Sequence, residues 1–261
     1  MFGFCPLASG SKGNAIYVGT KSTRILIDAG ISFGALQKKL SQIDVDIDTI
    51  QAVLITHEHT DHIRGLPVLH ERLQIPVLAN AETAKAITSA FPKRPRFKIF
   101  TSGEPFVFGD LEIKPFSIPH DTLEPVAFTV KVFLEKTALK LGFCADLGHV
   151  TSLVQKELTS CDYLYLEANH HPPMVHACNR PHTYRERVLG RQGHLSNEEC
   201  AKLLQTIAHK GLKHVHLAHL SSECNSRELA LETVKQALTK VESKAEVSIA
   251  HQEEISKCVY F

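Results

Sequence analysis

The chain has 261 residues, with 29 Lys and Arg against 28 Asp and Glu, a formal net charge of +1 and 16 histidines. That length can bury a sizeable core, and the near-neutral charge excludes a strongly basic nucleic-acid binder while leaving room for a local basic groove. Seven cysteines without a Cys-x-x-Cys pair argue against a disulfide framework and fit a reducing compartment.

In chain order, residues 14–19, 24–27 and 52–55 read as strands, and 33–40 as an amphipathic helix between them. Ile63, Leu66, Leu69 and Leu73 recur at helical spacing. The alternation continues with a strand at 76–79 and a helix at 81–90. A strand-rich middle follows at 97–100, 106–108, 111–118, 126–134 and 138–143, with turn residues between. Prolines in His170-His171-Pro172-Pro173 suggest a loop. Ser196 and Glu199 form a candidate capping box before the apolar run Leu203, Leu204, Ile207, 214–217 is strand-like, and 226–238 repeats the helical pattern. No linker or low-complexity break interrupts this order, so one domain over 1–261 is expected. The first residues lack a basic region followed by an apolar core, and no apolar run approaches the roughly 18 residues of a membrane span. A cytoplasmic protein without a membrane partner is expected.

The densest chemistry lies in Thr56-His57-Glu58-His59-Thr60-Asp61-His62, directly after an apolar run. Residues two apart on extended backbone project to one side, so His57 and His59 can present their rings to one metal. Asp61 and His62 fall where the chain bends into helix and can face a second. Borderline ions accept imidazole nitrogen and carboxylate oxygen together, and catalysis needs open coordination positions, so further ligands must come from downstream.

The His-x-His-x-Asp-His pattern resembles the second signature of the metallo-β-lactamase superfamily. Asp28 in Ile27-Asp28-Ala29-Gly30 resembles its early structural aspartate, His120 its third motif, Asp146 its bridging carboxylate and His219 its last ligand. The resemblance implies an α/β fold, the four-layer αββα sandwich, and two divalent metal ions, zinc or manganese. It assigns His57, His59, His120 and Asp146 to one ion, and Asp61, His62, Asp146 and His219 to the other.

Leu166-Glu167-Ala168-Asn169 and Gly193-His194-Leu195-Ser196-Asn197 resemble elements of the RNase Z branch. By that resemblance Glu167 holds His194, and His194 protonates the oxygen leaving phosphorus. The chemistry agrees: a departing alkoxide needs a proton, imidazole titrates near neutral pH, and a carboxylate stabilises its charged form. The glycines of Ala8-Ser9-Gly10-Ser11-Lys12-Gly13-Asn14 could let backbone amides approach a phosphate, which makes Ser9, Ser11, Lys12 and Asn14 candidate substrate contacts. Of the nearby arginines, Arg191 is the favoured phosphate contact, whereas His170 and His171 have no assigned role.

Over most of its length the sequence resembles a group of small bacterial superfamily members called YycJ or WalJ. That likeness implies a nuclease degrading DNA from a 5′ end. The interval between Asp146 and His219 is too short for the domain inserted in RNase J, and no Gly-Pro-rich arm like that of RNase Z is apparent. Two alternatives stay open at this point: a small-molecule hydrolase of the same fold, such as a glyoxalase-II-like thioesterase or a lactonase, and a signalling or binding protein stabilised by metal. Oligomeric state is not legible.

Overall fold

The computed structural model describes residues 1–91, 95–135 and 137–261. The first half contains β1 (Gly3–Ala8), β2 (Ala15–Gly19), β3 (Arg24–Ile27), α1 (Phe33–Ser41), a 3-10 turn (Ile47–Thr49), β4 (Ala52–Leu54), α2 (Thr60–Ile63), α3 (Leu66–Leu73), β5 (Val77–Ala79), α4 (Ala81–Ala90), β6 (Phe97–Ile99) and β7 (Phe106–Phe108). After these come β8 (Leu111–Ser117), β9 (Val126–Phe133), β10 (Ala138–Cys144), α5 (Ser152–Leu158), β11 (Tyr163–Glu167), α6 (Pro172–Ala177), α7 (His182–Leu189), α8 (Asn197–Ile207), β12 (His214–Ala218), α9 (Arg227–Lys240), β13 (Glu246–Ile249) and β14 (Val259–Tyr260).

Among the described residues, two seven-stranded sheets repeat one plan, in the orders β14-β1-β2-β3-β4-β5-β6 and β13-β12-β11-β10-β9-β8-β7. In the first, β14, β1, β2 and β3 pair antiparallel, and β3 to β6 run parallel. In the second, β7 with β8 and β9 with β10 are antiparallel, and β10 to β13 run parallel. Parallel neighbours need crossovers, and the helices supply them. Two sheets flanked by helices are the α/β composition expected for an αββα sandwich.

The chain divides into two compact units, Met1–Pro115 with Thr122–Val126 and Ala250–Phe261, and Phe116–Asp121 with Ala127–Ile249. The first has its own core, in which Leu26, Val53 and Ile55 meet Leu36, Leu40, Leu66 and Leu69. The core of the second joins Leu164, Leu166, Val215 and Leu217 to Leu158, Leu204, Val234 and Leu238. Buried on both faces, the central strands read as continuous apolar runs rather than alternating ones.

Most boundaries lie within one or two residues of the sequence reading. Two differences have clear causes. Pro172 and Pro173 open α6 instead of forming a loop, because the first helical turn needs no proline N–H. Ser196 caps α8 through Glu199 N, yet Glu199 Oε1 accepts from Lys202 Nζ at 2.6 Å. No helix among the described residues is long and apolar enough to cross a membrane.

Non-glycine residues with left-handed backbone fall into two classes. Asp44, Gln74, Ser160 and Glu242 follow helices, where that conformation ends a helix. Asp28, Asp146 and His219 instead follow β3, β10 and β12, with φ of 62°, 53° and 53°. Such strain persists where the surroundings over-determine it, and here it marks three candidate site residues.

Candidate metal and catalytic site

In the first unit the histidine motif is organised from Asp28. Its Oδ1 accepts from Thr56 N at 2.9 Å, and its Oδ2 accepts from the Thr56 hydroxyl at 2.9 Å and from His62 Nδ1 at 2.7 Å. A carboxylate accepts only, so His62 Nδ1 carries the proton. The Thr56 hydroxyl, already donating, can only accept from His57 Nδ1, 3.0 Å away. Both rings therefore present Nε2 as a lone pair, the form in which neutral imidazole ligates a metal. The His57 and His62 ring centroids are 4.0 Å apart, and His57 Nε2 lies 3.2 Å from His59 Nδ1.

The backbone holds the motif as firmly. Ala29 N donates to His62 O and Asn14 N to Asp61 O, at 2.8 and 2.7 Å. A Cβ on Gly30 would sit 1.6 Å from Asp61 O, which explains the glycine of Asp28-Ala29-Gly30. Glu58, the intervening residue, accepts from Leu123 N at 3.0 Å and so anchors the 122–126 segment. Asn14 is buried; its Oδ1 accepts from Gly10 N, and its Nδ2 lies 3.2 Å from Asp61 Oδ2 and 3.0 Å from His62 Nε2. It thus ties the glycine-rich loop to the motif. Ser9 is buried, whereas Ser11 and Lys12 are exposed, with Lys12 Nζ 3.1 Å from Glu253 Oε1.

In the second unit Glu167, fully buried at the end of β11, is the hub. Oε1 accepts from His194 Nδ1 at 2.9 Å and from His219 Nδ1 at 3.0 Å, while Oε2 accepts from Leu147 N at 2.6 Å and Leu195 N at 3.1 Å. Burial alone would raise its pKa. The charge and hydrogen bond of His194, with the bond from His219, outweigh that cost and hold it down to about 2. Asp146 Oδ1 lies 3.2 Å from His219 Nδ1 and 3.6 Å from His194 Nδ1. Ligand atoms of Asp146, Glu167, His194 and His219 all lie within 4.8 Å of one another. His120 donates from Nδ1 to Gly193 O at 3.2 Å, which directs its Nε2 lone pair away from that contact. A Cβ on Gly193 would meet Arg187 O at 2.0 Å, so only glycine admits this approach beside His194.

Sequence reasoning missed an asparagine network that locks these loops. Asn169 Nδ2 donates to His219 O at 2.6 Å, Asn225 Nδ2 donates to Ala168 O and Asn169 O, and Asn197 and Asn225 exchange side-chain bonds of 2.8 and 2.9 Å. Asn169 and Asn197 stand inside the recognised motifs, but nothing in the sequence pairs them with Asn225. His170 is buried, and desolvation lowers its pKa to about 4, which keeps it neutral. His171 Nδ1 lies 2.8 Å from Glu198 Oε1.

Arg191 Nη2 donates to His149 Nε2 at 2.8 Å, and His149 Nδ1 donates back to Arg191 O at 2.8 Å. Arg187 Nε donates to Asp121 Oδ2 at 2.6 Å. These residues, with Pro119 and Gly193, line a groove of about 570 Å³.

The donor sets fit divalent metal. Each unit offers imidazoles with a defined tautomer, an aspartate, and buried carboxylates orienting the rings from behind.

The Beta-lactamase superfamily domain matches residues 23–217. Exodeoxyribonuclease YycJ of Bacillus anthracis is 35% identical over 238 residues, 90% of this chain and 88% of that protein. Exodeoxyribonuclease WalJ of Streptococcus pneumoniae serotype 2 (strain D39) is 31% identical over 246 residues, covering 92% and 90%. Among solved structures, the metallo-β-lactamase fold protein YhfI from Bacillus subtilis aligns over 97% of both chains with a TM-score of 0.72 and 16% identity, a likeness of fold.

Proposed function

This chain belongs to the metallo-β-lactamase superfamily as a metal-dependent nuclease related to YycJ and WalJ, and from that premise we propose that it is a DNA exonuclease acting from a 5′ end. His57, His59, His120 and Asp146 would hold one divalent ion, and Asp61, His62, Asp146 and His219 the second, zinc or manganese. This assignment rests on family membership and on the donor chemistry within each unit. The proposal extends to a single functional domain over 1–261, working in the cytoplasm.

Bound metal supplies Lewis acidity that activates water and offsets charge developing on phosphate oxygens. The chain's own residues do the rest. The observation that carries the reading is the Glu167–His194 pair: with Nδ1–H committed to an ionised carboxylate, His194 has Nε2 to deliver a proton to the leaving oxygen. Glu167 stabilises the imidazolium and fixes its ring, while its two backbone contacts stop it from following the histidine. Hydrolysis of a thioester expels a thiolate that leaves without such an acid, so the pair favours phosphodiester over the small-molecule alternative. Arg191, braced by His149, is placed in the reading as a phosphate contact, with the exposed Ser11 and Lys12. Buried Ser9 and Asn14 would shape the loop that carries those two.

The test is purified protein of defined metal content, given 5′-phosphorylated end-labelled DNA, matched RNA and a thioester, with zinc and with manganese. Release of mononucleotides from the 5′ end of DNA is expected. Intact DNA alongside rapid thioester turnover would overturn the nuclease reading.

A further inference from the structure

The glycine-rich loop is braced within its own unit by residues 251–258. Ser9 N donates to His251 O at 3.0 Å, Lys12 N donates to Gln252 Oε1 at 2.9 Å, and Gln252 Nε2 donates to Gly13 O at 2.8 Å. Lys39 Nζ donates to Leu7 O at 2.7 Å and to Glu253 O at 2.8 Å, joining β1 to the same segment. Ser256 N donates to Pro6 O at 3.4 Å, and its hydroxyl oxygen accepts from His251 N at 2.9 Å. Whatever holds this segment therefore also holds the loop that reaches Asp61 and His62 through Asn14.

Two thiols lie at its end. β1 and β14 pair in the register Gly3↔Tyr260 and Phe4↔Val259, and Phe261 N donates to Phe2 O. The paired register ends there, and Cys5 and Cys258 are the next residue on each chain segment. Facing Cα atoms of an antiparallel pair lie about 4.5–5.5 Å apart, within the separation a disulfide accepts. The pair is asymmetric. Cys5 is fully buried, with its Sγ 3.5 Å from Ser256 O, and Cys258 is half-buried. Interaction between the two thiols lowers the Cys258 pKa to about 7, while the same interaction and burial push Cys5 up. Cys144, Cys161 and Cys200 are buried, and burial raises their thiols, which leaves them inert by contrast.

We propose that Cys5 and Cys258 form a reversible disulfide on exposure to hydroperoxide, pinning residues 251–258 to β1 and tightening the 9–14 loop. The Cys258 thiolate attacks one peroxide oxygen and the O–O bond breaks; with one proton taken up, the products are a sulfenic acid and an alcohol, or water from hydrogen peroxide. The Cys5 thiol then attacks that sulfur, forming the S–S bond and releasing water. Both sulfurs are oxidised and the peroxide is reduced. The absence of a disulfide framework in the sequence agrees with a pair that is reduced at rest.

The full chain, reduced and then treated with hydrogen peroxide, should lose two hydrogens and yield one cross-linked peptide holding Cys5 and Cys258. Its Tm should rise by roughly 5 °C and return with dithiothreitol. Amide exchange should slow across residues 9–14. Cys5→Ser and Cys258→Ser should each remove the cross-link and the Tm shift, and iodoacetamide should modify Cys258 ahead of the buried thiols. Irreversible oxidation of Cys258 without a link to Cys5, or a link on other cysteines alone, would overturn the proposal. Unchanged exchange in the loop despite the cross-link would overturn the coupling. None of these readouts depends on metal or on the nuclease reading.

Discussion

The two histidine clusters are built in opposite ways. In the first unit the candidate ligands His57, His59, Asp61 and His62 are contiguous, and one aspartate at the end of the neighbouring strand fixes the tautomers of two of them. In the second, Asp146, His194 and His219 come from separate loops gathered around Glu167, a buried glutamate with four hydrogen bonds, and His120 joins through Gly193 O. The contiguous cluster carries chemistry common to a hydrolase superfamily. The dispersed one holds the proposed acid, His194, which would suit a particular leaving group.

That contrast predicts different kinds of loss. Asp61→Ala should have the largest effect, at least ~10³-fold in DNA hydrolysis with a drop in bound metal, because a ligand serves both binding and chemistry. Metal content measured beside activity checks it; full activity with metal retained would remove Asp61 from the centre. Glu167→Gln should cost about 10²-fold, within the range of general acid–base contributions. Its pH profile should change as well, since Gln cannot stabilise the imidazolium. Asp28→Asn should weaken metal binding roughly 10- to 100-fold by releasing the His62 and Thr56 protons from their acceptor. Competition against a chelator reads this directly.

Acid stability offers a gentler probe. The folded pKa of Glu167, about 2, lies below its ordinary value of 4.5. Its contribution is therefore present above pH 4.5 and is lost as pH falls towards 2. Thermal unfolding followed across that window should show a smaller loss in Glu167→Gln than in the parent. Asn225→Ala should be smallest in activity, costing about 1–3 kcal/mol of stability by stranding Asn197 and two carbonyls. Denaturant unfolding measures it.

The same contrast decides what the sequence could disclose. His57 to His62 was legible because extended backbone and a helix start bring nearby residues together, so sequence distance stood in for spatial distance. Apolar patterning placed β3, α4 and β7 with the bounds the structure has. β14 is two residues long, too short for any pattern. Its pairing with β1 spans nearly the whole chain, and so does the separation in sequence of Cys5 and Cys258. Glu167 and His194 were legible only through resemblance to known motifs. The asparagine network was not legible at all, because hydrogen bonds between distant loops leave no periodicity. Pro172 misled by its usual meaning, since proline both breaks helices and begins them.

The central claim is that His194 supplies the proton to the leaving oxygen. It is tested most directly by comparing parent and His194→Ala, at matched metal content, on 5′-phosphorylated DNA and on bis(p-nitrophenyl) phosphate, whose leaving group departs without protonation. A loss of about 10²-fold or more on DNA, with the nitrophenyl ester hydrolysed at nearly the parent rate, is the predicted result. Equal losses on both substrates, or no loss on DNA, would contradict it.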